Sequence, residues 1–250
     1  WASVTIPFST NSLSLDAPFG KNGLGGQIIF DQSGSSRLSL SQLNLQYSRL
    51  ISKWRLGFLM GFAQRKIDYS ELTFLNPNEP IVSLSKSYFD LGLGIHRQIE
   101  IDNYKELQVG YSIFHINSPN RSFINQEDIL SLKHHFFSVL KLDLTNEVNL
   151  SPSVFFSSQQ KQKEFIVGAE ISYDINNQNQ DVILFGSANH RVGDAIIFAL
   201  GTKINQTFVG LNIDLNVSDF SSATNNYGAW EISFIHYIKH STISRPNLQA

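Results

Sequence analysis

Thr207-Phe208-Val209-Gly210-Leu211-Asn212-Ile213-Asp214-Leu215-Asn216-Val217 decides the fold class, because apolar and small-or-polar side chains alternate along its whole length. Side chains of an extended strand point to opposite faces in turn. Thr207, Val209, Leu211, Ile213, Leu215 and Val217 therefore share one face, and Phe208, Gly210, Asn212, Asp214 and Asn216 share the other. One face suits lipid and the other water, which is how a transmembrane β-barrel strand is written.

The same alternation recurs upstream. Trp54, Leu56, Phe58, Met60 and Phe62 oppose Arg55, Gly57, Leu59, Gly61 and Ala63, and Phe89, Leu91, Leu93 and Ile95 oppose Asp90, Gly92, Gly94 and His96. Near the end, Trp230, Ile232, Phe234 and Ile238 oppose Glu231, Ser233 and Tyr237. The pattern predicts strands near 4–16, 23–31, 37–50, 54–68, 87–99, 104–116, 131–144, 148–159, 163–174, 181–191, 194–204, 207–217 and 228–238, thirteen in all. In the strand from Leu38 the apolar phase slips between Ser41 and Leu43, where a β-bulge is expected.

A soluble β-sandwich also alternates, with one face on a core and one in water. Length separates the two, since many of these segments reach the ten or so residues that a tilted strand needs to cross a bilayer, whereas soluble strands usually have five or six. Composition agrees. Charged residues make up 16% of the 250 residues, below the roughly 25% of soluble domains, while aromatics reach 12% with 19 Phe. Mean hydropathy is slightly negative and no apolar run is long enough for a membrane-spanning helix. No composition break divides the chain, so residues 1–250 are expected to form a single outer-membrane barrel domain, N-terminally truncated or processed.

Tight turns such as Leu50-Ile51-Ser52-Lys53, Asn146-Glu147, Asn205-Gln206 and Val192-Gly193 contrast with the stretches 70–85, 117–129 and 218–227. Outer-membrane barrels have short periplasmic turns and longer extracellular loops, so the long stretches are expected outside. A formal net charge of -2 gives no basic surplus for nucleic acid. The absence of cysteine excludes thiolate metal sites, disulfides and a cysteine nucleophile.

Catalytic chemistry finds little support. His134 and His135 are adjacent, so on a strand they point to opposite faces and cannot share a site. His96, His115, His190, His236 and His240 are scattered without metal-ligand spacing or a neighbouring carboxylate group. The serine-rich stretches lack a Gly-x-Ser-x-Gly elbow, and the glycines at 23–26 and at Gly92 and Gly94 open no helix, so they read as bends or crowded lumen positions. No enzyme activity, cofactor or metal is expected. Arg55, Arg65, Asp90, Lys133, Lys141, Asp143, Glu164, Glu170, Asp214 and Glu231 all fall in the phase opposite the apolar face, as the cost of charge on the lipid side requires. Trp1, Trp54 and Trp230 are candidates for interfacial girdles in contact with outer-membrane lipid.

The chain resembles the PorP/SprF family of outer-membrane barrels associated with type IX secretion. Ala17-Pro18-Phe19-Gly20 before Gly23-Leu24-Gly25-Gly26 looks like its first hairpin, Ser85-Lys86-Ser87-Tyr88-Phe89-Asp90 opens a segment similar to its Phe-Asp strand, and Leu150-Ser151-Pro152-Ser153 is similar to its Pro-Ser strand. His190-Arg191-Val192-Gly193-Asp194-Ala195, the 210–218 segment and Gly228-Ala229-Trp230-Glu231-Ile232-Ser233-Phe234 resemble its last three strands. A Phe- and Asn-Pro-containing segment and a first strand, usual in members ahead of the region matching Trp1, are absent. Single-chain bacterial barrels have even strand counts, so an all-β antiparallel transmembrane barrel of about 14 strands is expected, 13 of them visible.

The resemblance implies a non-enzymatic cell outer membrane protein that supports secretion and surface anchoring of an adhesin-like cargo. Its implied partners are the cargo's C-terminal sorting domain, type IX secretion components and a periplasmic peptidoglycan-binding lipoprotein. Candidate contact residues are Arg55, Arg65, Asp90, Glu170, Asn212, Asp214 and Glu231 in the lumen, and Phe74, Asn76, Asn120, Arg121, Phe123, Asn225 and Tyr227 in the loops. The alternative is an outer-membrane channel for a small or hydrophobic solute.

Overall fold

Alternating faces produce one antiparallel sheet in which every strand pairs with its sequence neighbours. The computed structural model describes residues 8–33, 38–68, 83–177, 180–218, 221 and 226–238. Thirteen strands follow in order: β1 (Phe8–Phe19), β2 (Asn22–Ser33), β3 (Leu38–Ile51), β4 (Trp54–Ile67), β5 (Leu84–Asp102), β6 (Lys105–Phe114) and β7 (Lys133–Asp143). The second half holds β8 (Val148–Gln159), β9 (Gln162–Asn177), β10 (Gln180–Arg191), β11 (Ala195–Ile204), β12 (Thr207–Asn216) and β13 (Tyr227–His236). Sheet order equals chain order.

The two faces are chemically distinct. Phe58, Met60, Phe62, Phe89, Leu93, Phe198, Leu200 and Ile232 are exposed on the outer face, whereas Asn44, Asp90, Ser157 and Asn216 are buried on the inner one beside Ala63 and Ala195. A soluble protein would bury the first set. This sheet displays it. Trp54 and Trp230 stand on the apolar face near opposite ends, as girdle residues do.

Strand direction sorts the connections into two ends. At one, here the turn end, β-strands are joined by residues 20–21, 52–53, 103–104, 144–147, 178–179 and 205–206. At the other, the loop end, the connections are 34–37, 68–83, 115–132, 160–161, 192–194 and 217–226. All three long stretches emerge at one end. Val192-Gly193 and Gln160-Lys161 are tight turns at that same end, so the expected division of short from long holds for the turn end alone.

One expectation is corrected by the register. β3 pairs continuously with β2 and β4 through Ser41, Gln42 and Leu43, without the anticipated bulge. Leu38 and Leu40 simply take the inner face near the loop end, where the strand rises toward the rim and the outer face no longer requires apolar residues. The register shifts fall instead at Glu100/Asp102 and at Ile213/Leu215. The thirteen strands expected to be visible are all present. Among the described residues, β1 and β13 carry no ladder on their outer edges, and the thirteen-stranded sheet stays open.

Candidate functional site

At the loop end, the connection between β6 and β7 turns inward instead of leaving the wall. β6 stops at Phe114 opposite Gly92, which leaves the β6 side of β5 without a strand partner from Leu91 back to Leu84, while its other side stays paired with β4. Asn117 takes that role: its Oδ1 accepts the Leu91 N–H at 3.0 Å, and its Nδ2 donates to the Phe89 carbonyl at 2.8 Å. The chain bends at His115, whose φ of 62° lies in the left-handed region. That conformation is uncommon for a non-glycine residue and needs surroundings that hold it.

Asp90 supplies the hold. His115 Nδ1 lies 2.9 Å from both Asp90 carboxylate oxygens, and Asp90 is only 3% exposed. A buried carboxylate without such a partner would be costly. Gly61 on β4 makes room beside it, since a Cβ there would stand 2.7 Å from Asn44 Oδ1. Asn44 accepts from Gln42 Nε2 and donates to Gln27 Oε1, so a polar row crosses the inner faces of β2, β3 and β5.

Beyond His115 the connection folds into a small hairpin across the inner side of β5. Asn120 bridges Ile129, Arg121 N–H donates to the Asp128 carbonyl at 3.0 Å, and Asn120 Oδ1 accepts the N–H groups of Ser122 and Asp128. β4 reaches the hairpin through Arg65. Its Nη1 donates to the Arg121 carbonyl at 3.1 Å, lies 3.4 Å from Asp128, and its guanidinium sits 5.0 Å from the Phe123 ring centroid. Arg121 Nε lies 3.1 Å from the same Asp128 carboxylate. The hairpin is thus fastened to two strands of the wall.

Candidates read separately from the sequence, as lumen charges and as loop residues, meet in this cluster: Arg65, Asp90, Asn120, Arg121 and Phe123. His115, Asn117 and Asp128 complete it and were not among them. His115 corrects the reading that no carboxylate stands beside the scattered histidines, because Asp90 reaches it across 25 residues of sequence. Only the Phe-Asp strand, with Asp90 followed on its inner face by Gly92 and Gly94, carried a hint.

The remaining candidates lie elsewhere. Asp214 joins a second loop-end cluster, in which Arg191 stands 3.2 Å from Asp214, 3.1 Å from Glu164 and 3.1 Å from Asp194. One guanidinium thereby ties β9, β12 and the β10–β11 turn together. Asn212 is opposite Glu231, whose carboxylate accepts from Ser233, and Tyr227 is exposed where β13 begins. Glu170 pairs across to Ser151 and Ser187 on the inner face, and Arg55 donates to Ser48 near the turn end. Phe74, Asn76 and Asn225 lie outside the described residues.

The histidine pair behaves as strand geometry requires. His134 Nδ1 contacts Tyr111 Oη at 2.7 Å on the outer face, whereas His135 packs edge-on between Phe114 and Phe155 on the inner one. His96 stacks on Phe137, whose ring occupies the space that a side chain at Gly110 would fill. Beside this lining a cavity of about 800 Å³ runs along β1–β6, bordered by Asp16, Gln27, Gln46, Arg55 and Phe114 over a floor of glycines.

Two solved structures share a general likeness, both mutants of the ferric enterobactin receptor PfeA from Pseudomonas aeruginosa. One is 9% identical over 85% of this chain and 43% of that one, the other 7% identical over 86% and 44%, each with a TM-score of 0.43. This chain spans less than half the length of either receptor. No curated protein matches it. Residues 1–236, a span that takes in all thirteen strands, match the family described as type IX secretion system membrane protein PorP/SprF, and the chain belongs to that family.

Proposed function

We propose that this protein is a non-enzymatic outer-membrane barrel of the type IX secretion system that supports secretion and surface anchoring of an adhesin-like cargo, receiving the cargo's C-terminal sorting domain at the loop-end mouth. The loop end then faces outside and the turn end faces the periplasm, where a peptidoglycan-binding lipoprotein and other secretion components have access. The observation that carries this reading is the fastened hairpin of the 115–132 connection. A pore for free solute passage gains nothing from a loop pinned across its inner wall by Asp90 and Arg65, whereas a docking surface gains rigidity and so loses less entropy on binding.

The test is co-purification from native membranes with and without the Arg65→Ala and Asp90→Ala changes. Cargo carrying its C-terminal domain is expected with the unaltered protein and depleted with both variants at equal barrel yield. Recovery of no secreted partner and no secretion component would overturn the proposal. A second reading, a channel for a small or hydrophobic solute, is favoured by the cavity along β1–β6. Conductance or solute flux in a planar bilayer would support it, and a silent bilayer would remove it.

A further inference from the structure

The wall has a step at its turn end. β4 begins at Trp54 opposite Arg97, but β5 continues to Asp102 and pairs there with β6 alone. The β5–β6 hairpin therefore projects past the 52–53 turn, and a notch of about 520 Å³ opens between them. Lys53, Arg55, His96 and Arg97 border it, with Glu100 as its one acid.

These cations lack acid partners. Among the described residues, no carboxylate lies within ion-pair distance of Lys53, Arg55 or Arg97, nor of Lys21 and Arg49 on the same sector of the rim. Arg97 lies 5.0 Å over the Trp54 ring, and its buried Nε has no hydrogen-bond partner. The acids of the neighbouring β5–β6 hairpin, Asp102 and Glu106, are engaged by Lys105 and Lys141, and further acids of that end, Asp143, Glu147 and Asp181, stand on a different sector.

Register separates the cations by face. Arg49, Trp54 and Arg97 share the outer, apolar face with Ile51, Leu56 and Ile95, whereas Arg55 and His96 point inward. Outward charge is tolerated near an interface at about 0–1 kcal/mol, so the end of the apolar face is where two arginines can stand. Arg49 and Arg97 present charge on the lipid-facing strand surface, level in register with exposed Leu56 and Trp54, and with Ile51 these offer a track for acyl chains.

We infer that the notch binds the phosphodiester headgroup of a glycerophospholipid from the leaflet at the turn end, with Lys53 and Arg97 holding the phosphate and the acyl chains lying over Ile51, Trp54 and Leu56. Trp54 positions the Arg97 guanidinium, and clustered cations at such an interface are the usual recognition device for anionic headgroups.

Native mass spectrometry of the detergent-purified protein, titrated with dioleoylphosphatidylglycerol and separately with dioleoylglycerol, tests this. The phosphodiester lipid is expected to be retained and the diacylglycerol not, a comparison that needs no variant. Lys53→Gln with Arg97→Gln should weaken retention about thirtyfold, given the contribution of each cation near a membrane surface. Lys163→Gln, an outward lysine at the loop end, should leave it unchanged. Equal retention of both lipids, or undiminished retention by the double variant, would overturn the inference. Displacement of the lipid by free glycerol phosphate would overturn it as well, since the site would then serve a soluble anion.

Discussion

Replacing Asp90 by Ala should release the hairpin that crosses the inner wall. Asp90 is buried and meets His115 Nδ1 with both carboxylate oxygens at 2.9 Å, so the substitution removes a charge-assisted bond and leaves His115, at a φ of 62°, without its support. Hydrogen bonds to charged groups are worth about 1.5–3 kcal/mol, and about 2 kcal/mol corresponds to a rise of roughly thirtyfold in the population of the detached hairpin. Trypsin reads that population. Its cleavage point after Arg121 is guarded by the Arg65 bond to the Arg121 carbonyl and by Asp128 beside the Arg121 side chain. Where reclosing outpaces cutting, the rate follows the open fraction, so Asp90→Ala should be cut about thirtyfold faster at this bond. Asp90→Asn keeps the shape and one acceptor and should accelerate cleavage only several-fold. An Asp90→Ala protein that is folded, as judged by its heat-dependent gel migration, and is cut at the unaltered rate would refute the reasoning.

Other positions give independent tests. Gly110→Ala should lower the yield of folded protein, since its Cβ would overlap the Phe137 ring, and Phe137→Leu in the same chain should restore it. Arg191→Ala leaves Glu164, Asp194 and Asp214 facing one another and should cost about 1–3 kcal/mol in urea-induced unfolding, with a smaller loss for Arg191→Lys; equal stability of Arg191→Ala and the unaltered protein would count against the hub. Leu93→Arg, on the exposed apolar face of β5, should cost about 2–4 kcal/mol in bilayer refolding if that face meets lipid. Gly94→Ser, one residue away on the inner face and with only ordinary contacts for an added Cβ, should refold normally.

The strands were legible because lipid imposes the same demand at every position along a crossing. A charged or small residue at Asp90, Gly92 or Gly94 between outward Phe89, Leu91, Leu93 and Ile95 can only mean two faces, and the expected thirteen segments correspond to β1–β13 with small shifts at their ends. Where lipid stops, so does the rule. Leu40 follows the inner phase near the loop end, and the inference of a bulge there treated a change of environment as a change of register. The site was legible only in part for a related reason. Arg65 and Asp90 are inward charges that periodicity exposes, but the pairing of Asp90 with His115 depends on where β6 stops and on a left-handed residue, and neither leaves a periodic trace. Arg191 was visible only as part of a resemblance, because its three acids come from separate strands and a turn.

Strand direction also constrains how the wall can close. With thirteen strands in chain order, β1 and β13 both run from the loop end to the turn end, so a ladder formed directly between them would be parallel, unlike all twelve pairings in the sheet. Two like-oriented copies in one membrane would meet the same restriction at these edges, since every strand offered would again run the same way. An antiparallel fit on both sides requires a strand that runs from the turn end to the loop end. Unpaired backbone groups in hydrocarbon each cost several kcal/mol, so edges the length of β1 and β13 are too costly to leave bare at membrane depth. Their outward side chains, including Leu13, Leu15, Trp230, Ile232 and Phe234, are nonetheless those of membrane-spanning strands. Among the described residues, strand parity thus fixes the direction in which an antiparallel partner of either edge must run.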